Sequence, residues 1–228
     1  MLDATTIKGR IVSAALKLAA DRPWASISLM EIADTAGLTL AEIRARFDGK
    51  PAILRGFVRA IDAALLAQAR KPAADSSARD ALFEVVMARF DLLMPYKAAL
   101  RSIMKDAEPD LAMLGAALSS QQWMLSAAGI DSSGPRGSVR TLGLASVYAS
   151  VFRTWLDDDD PGMARTMAAL DRQLRSGERS IQAVEGACDT VSSIGKRLGE
   201  LFAGSPLGRK PEKRSPAADF NPSAGDSG

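Results

Sequence analysis

Residues 28–50 read SLMEIADTAGLTLAEIRARFDGK, and the spacing of apolar residues in this stretch decides the fold. Leu29, Ile32, Ala33 and Ala36 recur at helical intervals, with Ser28 three residues before Glu31 as in a capping box. Gly37 stops that helix, Leu38 supplies an apolar plug under a tight turn, and Thr39 offers a hydroxyl to cap the next helix. The second helix is expected from Leu40 to Phe47, burying Ile43 and Phe47 one turn apart and leaving Thr39, Leu40, Glu42, Arg44 and Arg46 to face outward or to the rim. Two short helices joined by such a turn have the plan of a DNA-reading helix-turn-helix, whose second helix enters the major groove.

Working outward, residues 5–21 carry Ile7, Ile11, Ala14, Ala15 and Leu18 on one face and Lys8, Arg10 and Lys17 away from it, the pattern of an amphipathic helix. Arg22, Pro23 and Trp24 close it, and Trp24 is expected to wedge between this helix and the next. After Lys50, a helix is expected from Pro51 to about Ala69, because proline is tolerated at the first helical position. KPAADSS, residues 71–77, has the composition of a linker.

Beyond it the periodicity stays helical. Segments are expected at Asp80–Met94, closed by Pro95, then at Tyr96–Lys105, Asp110–Ala128 and Arg140–Leu156, the last with Leu144, Tyr148, Val151 and Trp155 as an apolar stripe. DSSGPRG, residues 131–137, is expected as a turn or mobile loop. Four carboxylates, Asp157 to Asp160, precede Pro161. Hard oxygens suit a divalent cation, but no other ligand-spaced oxygens accompany them, and Asp160 as cap of a helix over 162–173 is the simpler expectation. A last amphipathic helix is expected over 180–202, suited to docking, dimerisation or a membrane surface. With only Lys196 and Arg197 as basic residues, docking or dimerisation is favoured. Residues 203–228, rich in Gly, Ser, Pro and Ala, are expected to be disordered. The expected organisation is a reading head over 1–70, a helical body over 71–202 and a tail over 203–228.

Composition narrows the function. The 228 residues contain no histidine and one cysteine, Cys188. Triads and general bases built on histidine are excluded, no nucleophile-and-base pair, phosphate loop or metal set emerges, and an enzyme is not expected. A lone cysteine fits a reducing cytoplasm, and no run of 18 or more apolar residues suggests a membrane span. The formal charge of +2 is uneven: residues 1–71 hold eleven Lys/Arg against seven Asp/Glu, while residues 72–202 hold fourteen against seventeen. The basic excess travels with the helix-turn-helix, as a phosphate-facing unit requires.

The N-terminal helix, IADTAGLT, a short helix ending at Phe47, and Lys50 opening a long helix together resemble the TetR family of transcriptional regulators over about residues 5–65. That resemblance implies an all-α homodimer, with a three-helix DNA-binding domain that grips an operator and a larger helical domain that holds an effector. It also implies that Thr39 and Leu40 open the recognition helix, that Arg46 lies along it, that Ser28 and Glu42 belong to the DNA-facing set, and that Lys50 meets a phosphate. Arg44 stands where the family usually has a tyrosine on the DNA backbone. Arginine can bind phosphate there, and Glu42 can accept from a cytosine amino group.

WMLSAAGI and GLASVYASVFRTWLDDDDPGMARTMAALDRQL, within residues 82–175, are similar to the TetR-fold accessory protein family of ubiquinone biosynthesis. This second likeness implies an isoprenoid or quinone-like ligand and a peripheral membrane contact through residues 180–202. Both likenesses imply a hydrophobic pocket, for which Phe90, Met94, Met104, Trp123, Met124, Tyr148, Phe152 and Trp155 are the candidates. No cofactor or metal is implied.

Overall fold

α1 (Ile7–Asp21) begins where the Thr6 hydroxyl accepts the Gly9 amide at 3.0 Å. It buries Ile11, Val12, Ala15, Leu16 and Ala19 against the rest of the core. These contacts belong to a computed structural model that describes residues 3–73, 75–106 and 111–177. The described residues are helical, without strands, and belong to one compact unit. The expected helix over 180–202 and the tail over 203–228 lie outside them.

A single 3₁₀ turn, Trp24–Ser26, leads to α2 (Leu29–Ala36) and α3 (Leu40–Arg44). α2 ends on Gly37 in the left-handed conformation (φ 62°), where the Leu38 amide reaches back to the Ala33 carbonyl at 2.9 Å. α3 is shorter than its periodicity suggests. Its regular turns stop at Arg44, although the Phe47 amide still bonds the Ile43 carbonyl at 2.8 Å, so Ile43 and Phe47 are both buried as expected.

α4 (Lys50–Gln68) follows as one unbroken helix and buries Ile53, Phe57, Ile61 and Leu65. Gly56 is needed at its closest approach, because a Cβ there would come within 2.8 Å of the Phe47 ring. α5 (Ala78–Leu93), α6 (Lys97–Asp106), α7 (Leu111–Ala127) and α8 (Gly134–Leu156) form the body. α1 packs on α2, α4 and α6, while α4 also packs on α5 and α7, and α7 on α8. α4 is thus common to the helix-turn-helix and the body.

Two expectations need correction. The segment 131–137 is not all loop: α8 starts at Gly134, with Ser133 before it and Pro135 in its first turn, where the missing N–H costs no hydrogen bond. The last described helix, α9 (residues 164–177), starts two residues later than expected. The intervening turn holds Met163 at φ 54° with its side chain buried. Along α7, Leu111 and Leu114 are exposed, whereas Met124 and Leu125 enter the core.

A Cβ at residue 37 would be held in the left-handed region, which costs an L-residue about 1–2 kcal/mol, and would lie 3.2 Å from the Arg10 guanidinium. Gly37→Ala is therefore expected to lower unfolding free energy by at least that amount. A urea-denaturation midpoint equal to that of the native chain would show the turn to be free of this constraint.

Candidate nucleic-acid interface

Two capping boxes in succession start α2 and α3. At α2 the Ser28 hydroxyl accepts the Glu31 amide at 3.2 Å, and Glu31 Oε2 accepts the Ser28 amide and hydroxyl, each at 2.8 Å. Arg22 closes on Glu31 Oε1 at 2.7 Å. At α3 the pattern repeats: Thr39 Oγ1 accepts the Glu42 amide at 3.2 Å, and Glu42 Oε2 accepts the Thr39 amide at 2.8 Å and hydroxyl at 2.9 Å. Ser28 and Glu42, expected among DNA-facing residues, therefore use these polar atoms to start the helices that display the others. The Thr39 amide and hydroxyl hold the Glu42 carboxyl below the usual range, so it stays ionised beside the positive end of α3.

The exposed residues of the second helix are Thr39, Leu40, Ala41, Glu42 and Arg44, with Ala45 and Arg46 just after it. Leu40 is 40 % exposed. Arg44 pairs with Asp48 one turn on, and both side chains are almost fully in solvent, where such a pair is worth at most about 1 kcal/mol and yields readily to a phosphate. Arg10, which periodicity places on the polar side of α1, has a role no spacing reveals. Its Nη2 donates to the Ala36 and Gly37 carbonyls at 2.5 and 3.1 Å, satisfying the C-terminal end of α2 and tying the turn to α1.

Lys50 is half-buried. Its Nζ donates to the Trp24 carbonyl at 2.6 Å and the Ile27 carbonyl at 2.8 Å and sits 4.5 Å from the Trp24 ring centroid. Desolvation lowers its pKa. Two of its three N–H bonds thus anchor the connection before α2 to the start of α4. Trp24 is the expected wedge: it is 5 % exposed, and its amide donates to Ser102 Oγ at 3.0 Å.

The candidate pocket residues separate into two groups. Phe90, Tyr148, Phe152 and Trp155 come together, with Phe90 stacked on Tyr148 and Trp155 at centroid distances of 5.4 Å and Phe152 5.5 Å from Trp155. Phe90, Trp155 and Met124 are fully buried. Met94 is half-buried, while Met104 is 50 % and Trp123 53 % exposed. Trp123 lines an open groove of about 590 Å³ between α4 and α7, with Arg55, Arg59, Asp62, Leu66, Ala116 and Ser119. Among the described residues, the buried polar atoms Gln121 Oε1 and Trp155 Nε1 have no hydrogen-bond partner.

A charged network that periodicity does not reveal joins four helices. Arg89 of α5, 4 % exposed, donates to Asp62 of α4 and, at 3.1 Å, to the Tyr148 hydroxyl of α8. Ser120 of α7 donates to the second Asp62 oxygen at 2.6 Å. Burial raises the Tyr148 pKa, keeping the hydroxyl neutral and able to accept from Arg89. The acidic run behaves differently, its carboxylates taking separate partners. Asp158, buried, accepts the Thr166 amide and hydroxyl at 2.9 and 2.8 Å; Asp159 pairs with Arg101; Asp160 accepts the Gly162 and Ala164 amides at 3.0 and 3.1 Å. Among the described residues no three such side chains converge on a metal position.

The geometry so far defines a helix-turn-helix carried on an all-helical body. The chain matches no family model and no curated protein. It does match solved structures. A TetR transcriptional regulator from Nitrosomonas europaea is 24 % identical, with TM-score 0.60 over 76 % of this chain and 98 % of that one. One from Rhodococcus is 20 % identical, with TM-score 0.58 over 74 % and 93 %. One from Streptomyces coelicolor is 19 % identical, with TM-score 0.53 over 88 % and 93 %. The chain has the TetR fold. None of these three is a quinone-pathway accessory protein, and the resemblance expected for residues 82–175 is not shown by them.

Two outcomes follow from this geometry. The hydrogen bonds from Ser28 and the ion pair with Arg22 lower the Glu31 pKa from 4.5 to about 2. Its stabilising effect is complete above 4.5 and is lost as pH falls through about 2, so Glu31→Gln should flatten the decline of Tm across that window. An unchanged acid limb would remove the box from the account of α2. In the body, Arg89→Met leaves Asp62 without its cation and should cost about 3–5 kcal/mol, whereas the Arg89→Met, Asp62→Leu pair should be much less destabilising. Equal losses for the single and double variants, read by denaturant unfolding, would contradict the pairing.

Proposed function

We propose that this protein is a DNA-binding transcriptional regulator of TetR type, acting as a homodimer on a double-stranded operator and responding to a hydrophobic small molecule. The observation that carries the proposal is the α3 surface. Its fold is maintained from behind by Ile43, Phe47 and the Thr39–Glu42 box, while Leu40, Arg44 and Arg46 project into solvent from a backbone that Ala41 and Ala45 leave thinly covered. Such a surface can approach a duplex closely, with its arginines positioned for phosphates and base edges. The basic excess of residues 1–71 and the matched structures, all three of them regulators, support the same reading.

Residues 1–70 are the reading head in this proposal, and residues 71–202 are the part that dimerises and binds the effector. Lys50 retains one N–H for a phosphate after its two carbonyl bonds. Glu42 serves chiefly as the cap, and its use on a cytosine would be confined to the oxygen outside the box. Effector response requires different affinities for two arrangements of α4, since a ligand that binds both equally shifts neither.

Gel-shift assays on DNA fragments from the neighbourhood of the gene, at several salt concentrations, test the proposal. Arg44→Ala and Arg46→Ala should each weaken binding and reduce the slope of log K against log salt by about 0.9, the value for one phosphate contact. Binding with an undiminished slope in both variants would place the interface elsewhere. Absence of DNA binding together with co-purified prenyl lipid would instead favour the accessory-protein reading.

A further inference from the structure

We infer that the groove between α4 and α7 is the effector site, and that the effector is an amphipathic monocarboxylate: an acid on an apolar body, rather than a neutral or cationic lipid. This deepens the regulator reading and rests on it only for the word effector; the binding itself needs no DNA.

The groove, about 590 Å³ in volume, falls within the ~300–1,000 Å³ span of small-molecule sites. Its concavity comes from small residues on α7. Ala112, Ala116 and Ser119 fall on the side toward α4, where larger residues would fill the space. Leu66 and Trp123 supply apolar surface. Trp123 is the informative one: of the three tryptophans, Trp24 and Trp155 are buried, and only this one leaves half its surface in solvent, on a groove wall. Phe90, Tyr148, Phe152 and Trp155 stack on one another, so Trp123 is the candidate pocket aromatic with the most area left to offer.

Charge selects the head group. Three charged residues line the groove, and they are not equivalent. Asp62 directs one oxygen to the buried Arg89 and the other to Ser120, so its negative charge is already answered. Arg55 engages partners of its own. Arg59, one turn further along α4, is exposed at the groove wall. With the acid neutralised and Arg59 exposed, the groove presents positive charge beside an aromatic plane. An anionic head on Arg59 with an apolar body along Trp123, Leu66 and Ala116 satisfies both. A cation would meet the arginines and would have to take Asp62 from Arg89, leaving a buried charge unpaired.

Decanoate, decanol and decyltrimethylammonium, each below its micellar concentration, separate the possibilities by calorimetry and tryptophan fluorescence on the full chain without DNA. Decanoate should saturate one site per chain and change the emission of the exposed tryptophan. Decanol should bind about tenfold or more weakly, and the cation weaker still. Arg59→Gln should reduce decanoate affinity about tenfold while leaving decanol unchanged, and Arg59→Lys should restore part of it. Ser119→Glu, on an exposed position, should abolish decanoate binding and spare decanol, with far-UV circular dichroism confirming the fold of each variant. Trp123→Phe should remove the fluorescence response but not the heat. Decanol binding as tightly as decanoate, tighter binding of the cation, or an Arg59→Gln variant that binds decanoate normally would overturn the site. Since all these readouts omit DNA, a failed gel shift leaves them standing, and their failure leaves operator reading untouched.

Discussion

Burying Arg89 commits the fold to Asp62. A guanidinium taken out of water loses several kcal/mol of hydration unless a carboxylate and further acceptors replace it, and here Asp62 and the Tyr148 hydroxyl do so from two other helices. Sliding α4 by one residue past α5 would break the pair and strand a charge, so the network acts as a register mark that apolar packing alone would not provide. The opposite end of α4 has a second mark. Lys50, twelve residues earlier and so about 18 Å away along a helix, is fixed to the carbonyls of Trp24 and Ile27. Between two polar anchors, a single stiff helix defines how the helix-turn-helix stands on the body.

Elements with local causes were legible in the sequence. Ser28–Glu31, Gly37 and Thr39–Glu42 lie within a few residues of one another, and their chemistry allows little else than cap, turn, cap. Ile43 and Phe47 could be assigned to the core because one turn separates them. What stayed hidden depends on pairs distant in sequence. Arg10 reaches carbonyls 26 and 27 residues away, and Arg89 reaches Asp62 at 27 and Tyr148 at 59. A basic residue on a helix looks the same whether it points to water or to a buried carboxylate, and periodicity cannot separate the cases. Ser133-Gly-Pro was hidden for another reason: the composition that makes a turn also makes a helix start, and only the following residues decide between them.

Candidate site residues were legible to different degrees for the same reason. Exposure of Leu40, Arg44 and Arg46 follows from the buried positions of their own short helix. The eight pocket candidates were chosen by residue type, which says that a side chain is large and apolar but not whether it meets another ring or a groove. Phe90 and Trp123 received the same assignment and have opposite environments, one fully covered by stacked neighbours and the other half in solvent. The difference lies on α7 itself, where alanines and a serine leave room beside Trp123.

The capping boxes change what an acid in a reading helix means. Viewed only as a charge, Glu42 argues against phosphate binding, since it repels the backbone it would approach. Bonded to the amide and hydroxyl of Thr39 at the positive end of α3, it is already compensated, and removing it would leave the Thr39 amide unsatisfied at the start of the proposed reading helix. The residues that shape α3 are thus Thr39, Glu42, Ile43 and Phe47, each holding a structural contact that a substitution would forfeit. In the proposed regulator, specificity would fall to Leu40, Arg44 and Arg46, displayed on a backbone that Ala41 and Ala45 keep low. Such a division allows a chain to change what it reads without changing how the reading helix is built, because the two tasks fall on different side chains.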